Sequence, residues 1–146
     1  MEKFFISKVH NSTKRNYVER MINNKIQCMK VAKKYSYDYW DGNRMYGYGG
    51  YKFIPGRWTP IAKKIIKDYK LTNKSSILDL GCGKGYLLFE IKKILPKIKI
   101  LGYDYSKYAI INSKKEIKRY LKVKDIRNKF SFKNNQFDLV LSLGTL

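Results

Sequence analysis

The nine residues ILDLGCGKG, Ile77 to Gly85, constrain the fold of this chain more than any other stretch in it. An aliphatic run leads into Asp79, glycines then occupy every second position at Gly81, Gly83 and Gly85, and the apolar-rich run YLLFEIKKIL follows. A strand, a glycine turn and a helix in that order form the start of a parallel βαβ unit, in which a ligand can lie against bare backbone at the helix N-terminus. The spacing is not the dinucleotide fingerprint, whose third glycine would fall at Tyr86. Asp79, just ahead of the glycines, would repel a pyrophosphate and suits a ligand bearing a cationic amine.

Downstream, the run IKILGYD ends in Asp104, nineteen residues after Gly85, where an open α/β sheet places an acid that accepts hydrogen bonds from ribose hydroxyls. Two acids at two strand ends, with glycines between them, describe a nucleoside that carries an amino acid. Apolar patterning predicts strands over Ser76–Leu80, Ile98–Tyr103 and Phe137–Leu141, with helices over Tyr86–Leu95 and about Lys107–Leu121. Strands alternating with helices predict an α/β fold with parallel pairing and right-handed crossovers. Upstream, near-helical spacing of Tyr17, Met21, Ile22, Ile26, Met29 and Val31 predicts a helix over Thr13–Lys34. A second helix is predicted over Pro60–Tyr69, with Thr59 as its N-cap. The chain therefore divides into residues 1–70, with N-terminal helices and an aromatic and glycine-rich segment, and residues 71–146, with the βαβ pattern.

A net charge of +21 would by itself suggest a polyanionic partner. The charge is spread evenly, however: residues 1–70 carry 16 basic and 5 acidic side chains, and residues 71–146 carry 16 and 6. There are 26 Lys against 6 Arg, and bidentate base recognition draws on Arg, so nucleic acid is a disfavoured second reading. Cys28 and Cys82 cannot build a disulfide framework, and with the single His10 they match no metal-site spacing, so no metal is expected. The apolar run in MEKFFISKVHN is too short for a signal-peptide core, and no stretch approaches the length of a membrane span. The expectation is a soluble, cytoplasmic protein without a membrane partner.

On the strength of these motifs the sequence resembles the class I S-adenosylmethionine-dependent methyltransferases from about Ser76 onward. ILDLGCGKG is similar to the family's first motif, which implies that Asp79, Gly81, Cys82, Gly83 and Gly85 face the methionine part of S-adenosyl-L-methionine. Asp104 and Tyr105 are similar to the second motif, which implies ribose binding and packing on adenine. KDIRNKFSFKNNQFDLVLS is similar to the third and fourth motifs, which implies that Asp125 accepts from the adenine amino group with Ile126 beside it, and that Ser142 lines the cofactor past the fourth strand. The resemblance further implies a Rossmann-like parallel sheet of strand order 3-2-1-4 and methyl transfer to a nucleophilic acceptor. Positioning dominates such chemistry, so no catalytic base is identified. The acceptor is expected to be a small molecule; SLGT after the fourth strand lacks the Asn-Pro-Pro-aromatic run of enzymes acting on base or glutamine amines, which disfavours that branch.

Two further expectations concern the ends of that domain. The segment YWDGNRMYGYGGYKFIPGRW, Tyr39 to Trp58, holds seven aromatic residues and five glycines. It reads either as packing between the helices and the sheet, or as a substrate lid in which Tyr46, Tyr48, Tyr51 and Trp58 surround a cation and Arg57 meets an anion. At the other end, the family's sheet usually has seven strands and Leu146 falls just after the fourth. That implies a truncated domain, either self-associating through an open strand edge or needing a missing C-terminal portion.

Overall fold

The computed structural model describes Phe5 and residues 25–145, and the chain divides into two compact units, Met1–Phe53 and Ile54–Leu146.

In the first unit, helix α1 (Lys25–Ala32) falls within the helix expected over Thr13–Lys34, of which residues 13–24 lie outside the described residues. A single turn, α2 (Tyr37–Trp40), follows; one turn is too short to leave a periodic signal in sequence. The aromatic segment then folds back onto this turn. Tyr48 N donates to Tyr39 O at 2.8 Å, and Gly50 N and Tyr51 N both donate to Trp40 O, at 3.0 and 2.9 Å. The glycine content has a steric cause at Gly47, where a Cβ would lie 2.1 Å from Tyr39 O. Trp40 is buried, with Tyr48 stacked on it at 5.2 Å, Tyr51 tilted against it at 5.3 Å and Tyr39 edge-on to it at 5.3 Å. The rings of Tyr48, Tyr51 and Tyr39 thus pack directly on Trp40.

In the second unit, helix α3 (Thr59–Asp68) precedes strand β1 (Ser76–Leu80), helix α4 (Tyr86–Ile94) and strand β2 (Lys99–Asp104). Short helices α5 (Lys107–Ile111) and α6 (Lys115–Lys118) lead to strands β3 (Leu121–Val123) and β4 (Leu139–Leu141). All pairings are parallel and the order is β3-β2-β1-β4, the α/β Rossmann-like arrangement and the 3-2-1-4 order that the resemblance implied. β1 lies inside the sheet and is buried at three successive positions, as its continuous aliphatic run requires. Its Ile77, together with Leu88 and Ile91 of α4 and Ile65 of α3, is fully buried, and α3 packs on α4.

Three elements differ from their sequence expectation. The helix expected over Lys107–Leu121 breaks in two, because Asn112 Nδ2 and Ser113 Oγ donate to Tyr108 O and Ile110 O at 2.8 and 2.7 Å and take over the terminal carbonyls of α5. Leu121 then opens β3. The fourth strand begins at Leu139 and not Phe137, whose ring instead meets Phe132 edge-on at 5.0 Å, while Phe132 and Phe130 stack on Tyr103. Asp138 pins that strand's start, accepting from Ser76 N and Ser76 Oγ at 2.7 and 2.8 Å. Finally, Thr59 does not cap α3; Trp58 occupies the cap, and Thr59 Oγ1 donates to Glu90 Oε2 of α4 at 2.7 Å.

That last bond satisfies a carboxylate only 1% exposed, whose Oε1 has no hydrogen-bond partner among the described residues and lies 3.7 Å from Lys93 Nζ. Thr59→Val is expected to lower the unfolding free energy in urea by about 1 to 3 kcal/mol, the cost of stranding a buried acceptor. Adding Glu90→Leu should recover most of the loss. Equal stability of Thr59→Val and the parent protein would show that the bond contributes nothing.

Candidate functional site

The site lies at the carboxyl ends of β1 and β2, where the strand register puts Asp79 opposite Gly102 and Leu80 opposite Tyr103. Immediately past β1, the amides of Gly81 and Cys82 both donate to Tyr103 O, at 2.7 and 3.0 Å, hooking the glycine turn over the end of β2. Gly81, Gly83 and Gly85 all adopt positive φ, at 80°, 57° and 70°, so the alternating spacing read from sequence is a left-handed position at every second residue. At Gly85 the glycine also serves packing, since a Cβ would lie 2.7 Å from both Ile117 Cδ1 and Leu121 Cδ1. A Cβ at Gly81 would lie 2.2 Å from Thr145 Oγ1, whose hydroxyl donates to Leu80 O at 3.2 Å and brings the loop after β4 against the turn.

Asp104 is the organiser of this end of the sheet. Its Oδ2 accepts from Gly83 N and its Oδ1 from Ser106 N, both at 2.7 Å, tying the glycine turn to the start of α5. Ser106 in turn caps α5, accepting from Ala109 N at 3.0 Å. Each carboxylate oxygen retains a lone pair for a further donor. Burial raises the pKa of Asp104 above its ordinary value, and the amides of Ser106 and Gly83 work against that rise. Asp79 is 5% exposed, and burial, with the nearby Asp104 charge second, pushes its pKa up to about 7. Neither acid makes an ion pair with a described residue. Burial and the two acids also push the Cys82 thiol up, so Cys82 sits in the turn as a neutral thiol.

Asp79, Gly81, Cys82, Gly83, Gly85 and Asp104 are thus brought together. Tyr105 follows Asp104 and is 54% exposed. Asp125 and Ile126 leave the carboxyl end of β3, and the Arg127 guanidinium, with its backbone amide, holds the Asp125 carboxyl down to about 2. Ser142 is exposed just past β4. Arg57 and Trp58 lead into α3 within the second unit, whereas Tyr46, Tyr48 and Tyr51 belong to the first. Sequence reasoning missed Ser106, whose cap position three residues before Ala109 was a legible signal, and Lys84, a lysine inside the turn that is only 4% exposed and lies 5.7 Å from the Tyr108 ring centroid. It also missed Arg127. Among the described residues no three His, Cys, Asp or Glu side chains are grouped to hold a metal ion, and no helix is long and apolar enough to cross a membrane.

The chain is 30% identical over 91 residues to the protein-lysine N-methyltransferase EFM4 of Saccharomyces cerevisiae, covering 56% of this chain and 38% of that protein. It is 33% identical over 102 residues to a tRNA U34 carboxymethyltransferase of Nautilia profundicola, covering 64% of this chain and 33% of that one. The chain therefore spans about a third of the length of these relatives. Among solved structures it is similar, with a TM-score of 0.50 and 25% identity, to a Methanococcus maripaludis protein assigned as an S-adenosyl-L-methionine-dependent methyltransferase, over 60% of this chain and 42% of that one. A family model described as a methyltransferase domain matches residues 71–146, from the residues before β1 through β4. With more than half of its length inside that match, the chain belongs to the methyltransferase domain family.

Proposed function

We propose that residues 71–146 hold S-adenosyl-L-methionine and that this chain takes part in methyl transfer from it, to a small-molecule acceptor. One observation carries the reading: Asp79 and Asp104, two buried acids without a cationic partner among the described residues, flank a turn of left-handed glycines at adjacent parallel strand ends. A ligand with an ammonium group supplies the countercharge that burial withholds, and a pyrophosphate would worsen the repulsion. When bound, S-adenosyl-L-methionine supplies a methyl group on a cationic sulfur, open to in-line attack by an acceptor nucleophile. Asp79 is assigned to the ammonium, and Gly81, Cys82, Gly83 and Gly85 to the backbone surface along the methionine part. The amino end of α4, directly after Gly85, suits the ligand's carboxylate. Asp104 takes the ribose hydroxyls with its remaining lone pairs, Tyr105 and Ile126 take the faces of adenine, Asp125 takes its amino group, and Ser142 the rim.

On the acceptor side, Arg57 and Trp58, which lead into α3 in the same unit as the glycine turn, are assigned as lid residues. The small-molecule acceptor is favoured by the absence of an Asn-Pro-Pro-aromatic run after β4, and the relatives named for a protein lysine and a tRNA uridine mark the two other classes.

Calorimetric titration tests the cofactor reading. S-adenosylhomocysteine is expected to bind one to one, and ATP, with its phosphates facing Asp79, is expected not to compete. In the same titration Trp58→Ala is expected to weaken binding several-fold, which reads the lid. Binding of ATP in preference to S-adenosylhomocysteine would overturn the assignment.

A further inference from the structure

Asp125, assigned above to the adenine amino group, is held on both oxygens by a residue two positions on. Its Oδ1 accepts from the backbone amide of Arg127 at 3.0 Å and from Arg127 Nε at 2.9 Å. Its Oδ2 accepts from Arg127 Nη2 at 2.6 Å, with Nε reaching it at 3.2 Å. The backbone turns with the side chains, since Asn128 N donates to Asp125 O at 3.2 Å. The Asp125 side chain is 22% exposed and that of Arg127 81%, so the guanidinium stands on the solvent side of the carboxylate it grips.

The arithmetic of lone pairs gives this clamp a consequence. A carboxylate has about four acceptor directions. Both on Oδ1 are filled by Arg127; on Oδ2 one is filled at short range, and the other faces only the long Nε contact. Three N–H groups of Arg127 thus meet four acceptor directions, and the fourth, on Oδ2, holds only the long arm of the bifurcated Nε bond, in a fixed plane. An unclamped aspartate on a loop would turn freely about two side-chain bonds and offer either oxygen. A planar fork suppresses that rotation in a way the point charge of a lysine cannot.

We propose that Arg127 is a positioning residue for base selection: it fixes the Asp125 carboxylate so that Oδ2 alone meets the exocyclic amino group of adenine. The inference rests on the cofactor reading above. Arg127 touches neither the reacting atoms nor the base; it acts through Asp125.

The test compares adenosine with purine riboside, the same nucleoside lacking the 6-amino group, each as a competitor of S-adenosylhomocysteine in calorimetry. The parent protein is expected to prefer adenosine by about tenfold or more, as a hydrogen bond to a charged acceptor allows. Arg127→Ala is expected to cut that preference several-fold while leaving purine riboside affinity within about twofold, and Arg127→Lys to fall between. A merely structural role would weaken both nucleosides together and would overturn the proposal. So would an undiminished preference in Arg127→Ala, or a parent protein that does not discriminate. Failure of S-adenosylhomocysteine itself to bind would strike the cofactor reading, and this inference with it; binding with unchanged discrimination would strike this inference alone.

Discussion

Between pH 8 and pH 5 the ligand-free protein is expected to gain stability through Asp79, and Asp79→Asn is expected to abolish that gain. Burial, with the Asp104 charge second, raises the Asp79 pKa from 3.8 to about 7. The folded state therefore takes up a proton before the unfolded chain does. The contribution is fully present below the unfolded value near 4 and is lost as pH rises through about 7. A shift of about 3 units at about 1.4 kcal/mol each bounds the full effect at about 4 kcal/mol, of which about 3 kcal/mol falls between pH 8 and pH 5. Urea unfolding of both proteins at several pH values reads it as a difference between them, which removes the background of other groups. Asp125 and Asp138, held low by Arg127 and Ser76, act only below the ordinary carboxylate range and leave this window alone. A parent-minus-variant difference that stays flat from pH 5 to 8 would refute a buried acid without a partner among the described residues. The ligand side carries the opposite sign: an ammonium needs the ionised carboxylate, so S-adenosylhomocysteine affinity should fall by up to about tenfold per unit below pH 7, whereas adenosine affinity should not.

Asp104→Ala is expected to weaken S-adenosylhomocysteine binding by about 1 to 3 kcal/mol, roughly 5- to 150-fold, through loss of a charged acceptor for the ribose hydroxyls. The same change strands the amides of Gly83 and Ser106, each of which donates to this carboxylate at 2.7 Å. Each stranded amide costs about 1 to 3 kcal/mol of stability, partly offset by removal of a charge that burial disfavours. The measurement is calorimetric affinity paired with urea unfolding, so that a lost ligand contact is distinguished from a collapsed turn. Unchanged affinity in a folded Asp104→Ala protein would sink the ribose assignment. Asp104→Asn sharpens the result, because its amide nitrogen must face one of two N–H donors and can therefore serve only one side of the turn.

Local pattern made the two central strands, the glycine turn and α3 legible, since a continuous aliphatic strand, glycine at every second residue and a four-residue apolar repeat each have few backbone solutions. Ser76–Leu80 is the strand read from sequence, and Asp104 closes β2 where an acid was expected. The short elements were not legible. α2 is one turn, and β3 has three residues, too few for either period to register. The break between α5 and α6 turned on side chains of Asn112 and Ser113 choosing backbone carbonyls over solvent.

The candidate site divides the same way. That Asp79 and Asp104 stand at strand ends beside glycines follows from their positions along the chain, because parallel strands joined by a helix bring their carboxyl ends together. That Asp104 ties Gly83 to Ser106, that Asp79 is held near pKa 7, that Thr59 serves Glu90 and not its own helix, and that Arg127 occupies Asp125 were decided only in three dimensions. Residue type sets what a side chain can donate, accept or ionise. Which partner it meets and how much water it keeps depend on segments brought together from elsewhere in the chain, and these two quantities set the chemistry of a buried acid.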